Sequence, residues 1–326
     1  MKRLIALKLP IAARRTLCAA TLVGLTVSGV WGATPAQAGT VNAAAAFRGS
    51  YFGQNPPGNT PELFAPVFLS SRFPFLARIA FSPDGRECYF TVADATFSHP
   101  QIYFTKLESG VWTVPAVAGF TQGLASGSAP SFSADGSKLY FTSDGDIQPA
   151  TNWKDIWVVE RTPRGWGDPR RLAPPINTVY AEWFFSQDSN GTVYFVSNRP
   201  GGLGGTDIYR AHQNPGEPLT VENVAAPINS KDDEWDPLPL PGGRAMVFVS
   251  TRPGGAGGSD LYMSFDDGHG GWTTPANMGA GFNTSADDTD PSLSPDGRYL
   301  FFARNDGKRS RLYWVAAAAL EHFGGH

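Results

Sequence analysis

Apolar and aromatic positions fall in short continuous runs rather than at helical intervals. Five such runs follow one another: Cys88-Tyr89-Phe90, Leu139-Tyr140-Phe141, Val193-Tyr194-Phe195, Met246-Val247-Phe248 and Leu300-Phe301-Phe302. Short aromatic-rich runs bounded by turn residues predict buried strands. Each is preceded by a second kind of segment that ends in a turn: Arg78–Gly85, Ala129–Gly136, Glu182–Asp188, Asp236–Gly243 and Asp290–Gly297. Ser82-Pro83-Asp84-Gly85 and Ser294-Pro295-Asp296-Gly297 show the turn most plainly, because Pro and Asp-Gly favour tight reversals. A third kind follows each run: Gln101–Phe104, Asp155–Val158, Asp207–Tyr209, Asp260–Tyr262 and Arg311–Trp314. A fourth, weaker segment such as Arg171–Ala173 or Thr220–Glu222 has Pro nearby, as edge strands allow.

The pattern is periodic. Anchored on Ile79, Pro130, Trp183, Pro237 and Pro291, the spacings are 51, 53, 54 and 54. Four antiparallel strands, here A to D, repeating at that interval describe the blade of a β-propeller. The prediction is an all-β, five-bladed β-propeller of four-stranded antiparallel blades over residues 60–326, with blades starting near 79, 130, 183, 237 and 291. The last unit runs into the tail Ala316–Ala319 without a clear strand D. Glu62–Val67 reads as a strand D without its blade. This N-terminal strand is expected to complete the fifth blade and close the ring, which removes exposed edges.

Upstream of the repeats, Met1–Arg15 is basic and Thr16–Gly32 is a mostly apolar run of 17 residues. Ala36-Gln37-Ala38 has the small-x-small form of a signal-peptidase site, so residues 1–38 read as a signal peptide cleaved after Ala38. Residues 39–59 read as a linker, and no later segment is apolar enough over enough residues to span a bilayer. The mature chain is expected in the periplasm or outside the cell. Removing the leader changes the charge: 21 basic residues then face 29 acidic ones. A body with a net charge of −8 argues against a nucleic-acid partner, because phosphate binding needs clustered Lys and Arg. Cys88 is then the sole cysteine and reads as a small core residue. With 37 Gly, 27 Pro, 13% aromatic and 17% charged residues, the composition suits many turns between apolar strands, not a coiled coil or a disordered polymer. A monomer is expected.

Candidate chemistry follows from chain direction. The D–A and B–C connections share one face, which carries Glu182, Asp232-Asp233-Glu234, Asp236, Asp287-Asp288 and Asp290. Glu182, Asp236 and Asp290 read as one repeat position at the start of strand A, the innermost strand, and would ring the channel mouth. Three carboxylates there could bind a cation or divide acid, base and orienting roles on a sugar. Arg199 and Arg252 join these carboxylates as binding candidates at the mouth; the competing reading makes the carboxylates brackets of strand A, satisfied by Arg199, Arg252 or backbone N–H groups. Arg78 and Ala129 at the other two positions break a five-fold ring. Gly201–Asp207 reads as a flexible B–C loop, and Trp112, Trp166 and Trp272 as packing residues near the C–D turns. His99, His212, His269, His322 and His326 are scattered, and no P-loop, G-x-S-x-G or H-E-x-x-H motif occurs, so no metal or cofactor is expected.

The Ser-Pro-Asp-Gly turns, Asp236-Pro237, Asp290-Pro291 and the segment Ser197–Gly202 running into Asp207-Ile208-Tyr209 resemble the WD40-like β-propeller repeat of TolB-type proteins. Arg252-Pro253-Gly254-Gly255 leading to Asp260-Leu261-Tyr262 repeats the pattern. The resemblance covers residues 60–315 and implies a bacterial, exported binding platform of the cell envelope, often beside peptidoglycan-associated proteins. TolB itself resembles a six-bladed ring with an additional N-terminal domain, and this sequence repeats neither feature. The expected function is a non-enzymatic binding or scaffold protein that takes an envelope protein or saccharide ligand on its acidic loop face. The alternative is a glycoside hydrolase-like enzyme or a lectin-like sugar binder using the channel-mouth carboxylates.

Overall fold

The computed structural model describes residues 47–145 and 154–323. The signal peptide read at residues 1–38 and its cleavage point lie outside them. No helix among the described residues is long and apolar enough to cross a membrane.

The fold is mostly β, built of four-stranded antiparallel sheets. A two-residue strand, β1 (Glu62–Leu63), comes first. The first sheet is β2 (Phe75–Phe81), β3 (Glu87–Ala93) and β4 (Gln101–Glu108), with β5 (Val111–Trp112) and β6 (Ala116–Val117) both along β4. The second is β7 (Ser128–Phe132), β8 (Lys138–Ser143) and β9 (Asp155–Thr162), flanked by β10 (Gly165–Trp166) and β11 (Arg170–Arg171). The third is β12 (Glu182–Gln187), β13 (Val193–Ser197), β14 (Asp207–His212) and β15 (Thr220–Asn223). The fourth is β16 (Glu234–Pro239), β17 (Ala245–Ser250), β18 (Asp260–Phe265) and β19 (Ala276–Asn277). The last is β20 (Asp287–Leu293), β21 (Tyr299–Asn305) and β22 (Ser310–Ala316), along whose outer edge β1 lies antiparallel, Glu62 facing Trp314. One parallel pair, Phe75 with Ser310, joins this sheet to the first.

The second strand of each sheet explains the continuous apolar runs. Its side chains alternate between two faces, and both faces are covered by neighbouring sheets. On β17, Val247 and Val249 enter the core shared with the last sheet, whereas Met246 and Phe248 enter the core shared with the third. On β3, Phe90 packs with Phe301 and Trp314 of the last sheet, and Tyr89 with Phe141 and Trp157 of the second. Such cores separate successive sheets, and one lies between the last sheet and the first. The first strands likewise pack in succession, β2 on β7, β7 on β12, β12 on β16, β16 on β20 and β20 on β2.

Residues 47–59 are not the linker expected from their position. Phe52 is buried against Phe64, Phe68, Phe81 and Trp112, and the Tyr51 ring meets Phe81, Tyr299 and Trp314. The Trp112 indole N–H donates to the Gly49 carbonyl at 2.7 Å. Three aromatic side chains in this stretch, Phe47, Tyr51 and Phe52, carry too much apolar surface to remain solvated, so the segment straps the first sheet to the last.

Candidate functional site in the central channel

Each first strand loses register with its partner once, at a β-bulge: Ala77/Ile79 in β2, Ser128/Ser131 in β7, Trp183/Ser186 in β12, Trp235/Leu238 in β16 and Thr289/Ser292 in β20. The residue that opens each bulge is therefore Arg78, Ala129, Phe184, Asp236 or Asp290. Four of them adopt positive φ: Ala129 (52°), Phe184 (56°), Asp236 (50°) and Asp290 (57°). Bulges re-aim a side chain out of the regular alternation, and Asp tolerates the left-handed region better than most residues.

This corrects the expected ring of carboxylates. Asp236 and Asp290 are equivalent, but Glu182 stands two residues ahead of its bulge, where its counterparts are Glu234 and Asp288. The third repeat lacks the Asp-Pro pair, and aligning it on Trp183 displaced it by two positions. Arg78, which seemed only to interrupt the ring, is the countercharge of the two aspartates.

The charged layer is tight. Arg78 is 3% exposed, and its Nη1 lies 3.9 Å from Asp236 Oδ1. Asp236 Oδ2 accepts the Asp290 N–H at 3.0 Å, and Thr289 Oγ1 donates to Asp290 at 3.1 Å. Arg78 Nε and Nη1 and Asp236 Oδ1 are buried with no hydrogen-bond partner. Burial raises the Asp236 pKa well above the ordinary carboxylate range, and the Asp290 charge adds to it. Burial likewise raises Asp290 and lowers Arg78.

The sign of the resulting pH effect follows. A carboxyl whose pKa is raised by folding binds its proton more readily in the folded state. Its stabilising effect is complete below the ordinary carboxylate range and is lost as pH climbs towards the raised value. Asp236→Asn removes this titration and keeps a residue that accepts positive φ. Its melting temperature is expected to gain on the wild type progressively as pH rises from about 4 to about 8. Parallel melting profiles for the two proteins would contradict the assignment.

Glu182 serves a different device. Its carboxylate accepts from the Thr178 N–H (2.9 Å), Thr178 Oγ1 (2.7 Å), Ser197 Oγ (2.9 Å) and Arg199 Nη2 (3.1 Å). Arg199 also donates to the carbonyls of Pro175 and Ile176 and lies over the rings of Phe195 and Tyr209. The next sheet repeats this with Ser230, Ser250 and Arg252 around Glu234, Arg252 reaching the Pro227 and Ile228 carbonyls over Phe248 and Tyr262. In the last sheet Arg304, directly opposite Asp288, takes the same part. Arg199 and Arg252, named above as binding candidates, thus spend their donors inside the chain. They clamp the loop that leads into the first strand.

The acidic face is altered in the same way. Glu182, Glu234 and Asp288 are fully buried. Asp233 accepts from the Thr206 N–H and Asp287 from the Ser259 N–H, bridging neighbouring sheets. The Gly-rich loop is pinned rather than flexible: Asp207 accepts from the N–H groups of Leu203 and Gly204. A Cβ on Gly204 would stand 1.9 Å from the Asp232 carbonyl oxygen, and one on Gly257 2.0 Å from that of Ala286. Glycine there permits backbone to approach backbone. Trp112 and Trp166 pack as expected, Trp166 donating to the Tyr89 hydroxyl at 2.7 Å. Cys88 is buried, with its thiol pKa raised by that burial.

The open space lies at the other end of the channel. A funnel of about 410 Å³ is lined by the C-terminal halves of all the first strands and the turns that follow them. Pro83, Pro130, Pro239, Pro241 and Pro295 form much of its wall, and Arg78 reaches it from the charged layer. A volume of this order suits a small ligand or the tip of a larger one. Pro83 and Pro295 are visible in the sequence as turn residues, whereas Pro130 and Pro239 lie within strands, and the convergence of all five depends on contacts between segments some fifty residues apart.

No protein-family model and no curated protein matches the sequence. In structure the chain is similar to a protein described as TolB from Agrobacterium tumefaciens, with a TM-score of 0.49 and 17% identity over 74% of this chain and 77% of that one. It is similar to TolB from Acinetobacter baumannii, with a TM-score of 0.45 and 20% identity over 74% of this chain and 57% of that one. It is also similar to an α-L-arabinofuranosidase from Podospora anserina, with a TM-score of 0.45 and 11% identity over 75% and 91% of the respective chains. These are likenesses of structure; the assignment to mostly β architecture rests on the sheets themselves.

Proposed function

We propose that the chain is an exported, non-catalytic β-propeller of five blades, its ring closed by β1, that binds a protein or saccharide ligand of the cell envelope through its central channel. The observation that carries the binding reading is the proline-walled funnel ending on a buried arginine with unused hydrogen-bond donors. The cores shared by successive sheets, one of them between last and first, support the closed ring. The non-catalytic reading is supported by the placement of the carboxyls. Glu182 is saturated by its clamp, Asp236 is buried and accepts from the Asp290 N–H, and Asp290 accepts from Thr289 Oγ1.

The test uses the mature chain, immobilised and exposed to envelope extract and to a panel of aryl glycosides. Retention of a component by the wild type, its loss when Leu240→Trp fills the funnel, and no glycoside turnover are expected. Retention indifferent to that substitution, or measurable hydrolysis, defeats the reading. Full-length chain expressed in a bacterial host should be recovered outside the cytoplasm, shortened to begin at Gly39.

A further inference from the structure

We propose that the funnel takes a neutral carbonyl group, the carboxamide end of a ligand with an apolar flank, on the guanidinium of Arg78. This rests on the channel-binding reading and adds the chemistry of the group bound. Arg78 is 3% exposed and lines the funnel, yet its Nε and Nη1 have no hydrogen-bond partner. The nearest opposite charge, Asp236 Oδ1 at 3.9 Å, is beyond hydrogen-bond distance and is itself without a partner. Buried donors left unmatched are costly, so an acceptor delivered from the funnel is favoured.

Charge selects the kind of acceptor. The guanidinium already has the Asp236 carboxyl 3.9 Å away and feels the Asp290 carboxyl as well, so its charge is answered within the chain. A carboxylate ligand would bring a further negative charge into a layer that already holds two carboxyls, and an ammonium would face the arginine. A neutral carbonyl oxygen satisfies the donors while burying no further charge. The walls agree with an uncharged ligand. Proline offers no N–H, and the other charged residue of the lining, Asp188, is engaged by the N–H groups of Asn190 and Thr192.

Three probes of one shape separate the possibilities: isovaleramide, isovalerate and isoamylamine, each titrated into the intact mature protein and followed by NMR. Isovaleramide is expected to bind with a dissociation constant on the order of 1 mM, a value suited to a ligand of its few heavy atoms. The other two should bind at least about tenfold more weakly. Arg78→Met should abolish amide binding. Because that change leaves two carboxyls without their cation and could disturb folding, Leu240→Trp, which fills the funnel and retains Arg78, should abolish it too. Isovalerate binding as tightly as the amide would overturn the assignment in favour of an anion site, while leaving channel binding in place. Amide binding that survives Arg78→Met in a folded protein would also overturn it. Failure of all three probes would bring down the channel-binding reading itself.

Discussion

Replacing Glu234 by alanine is expected to cost about 3–5 kcal/mol of stability, the usual consequence of removing one partner from a buried ion pair. For a domain of this size that corresponds to a fall in melting temperature of about 10 °C. Glu234 is completely buried and accepts from the Ser230 N–H (2.8 Å), Ser230 Oγ (2.7 Å), Ser250 Oγ (2.8 Å) and Arg252 Nη2 (3.1 Å). Alanine would leave a largely buried guanidinium and two hydroxyls without their common acceptor. Burial raises the Glu234 pKa, so the charge is held against a desolvation cost by these donors, Ser230 foremost. Glu234→Gln should lose less, because an amide oxygen in the place of Oε1 keeps the bonds from the Ser230 and Ser250 hydroxyls; the ionic contact goes, and so does the acceptor for the Ser230 N–H. Chemical denaturation of both variants measures the two costs, and the double variant with Arg252→Ala isolates the coupling. A loss below about 1 kcal/mol for Glu234→Ala would place the pair among solvent-screened contacts and refute the clamp.

Phe52→Ala is the second large effect, with an expected loss of about 3–5 kcal/mol from a deleted buried ring. The residue lies outside every strand, yet its ring centroid is 4.5 Å from that of Phe68 and 4.6 Å from that of Trp112. Phe64 and Phe81 complete its surroundings. With Tyr51 reaching Tyr299 and Trp314, this segment joins the first sheet to the last, so its loss should loosen that junction before the others. Hydrogen exchange would show early opening at β2 and β22, and denaturation would give the total. An unchanged denaturation midpoint would return residues 47–59 to the status of a linker.

The strands were legible because their pattern is local. A second strand covered on both faces must be apolar at consecutive positions, and Met246–Phe248 or Leu300–Phe302 can be read that way without knowing the neighbours. The turns were legible for the same reason, since Ser82 Oγ bonds Asp84 only two residues on, as do Ser133 with Asp135 and Ser294 with Asp296. The channel was less legible. A bulge adds a residue without leaving a sign in composition, so Glu182 was aligned with Asp236 when Phe184 is its equivalent. Acidic residues on one face suggested a docking surface, but acidity does not report whether a carboxylate already has its arginine.

From sequence alone came a repeating all-β chain, its four strands per unit, and a basic, then apolar N-terminal stretch ahead of an acidic remainder, because each depends on spacing or on summed charge. Tertiary structure decided what the polar residues do. It placed Arg78 beside Asp236, turned Glu182 and Arg199 inward on each other, and put the open funnel at the end opposite the acidic loops. Those outcomes depend on which side chains meet, 17 residues apart for Glu182 and Arg199 and 158 for Arg78 and Asp236, and a bulge of one residue is enough to change the answer.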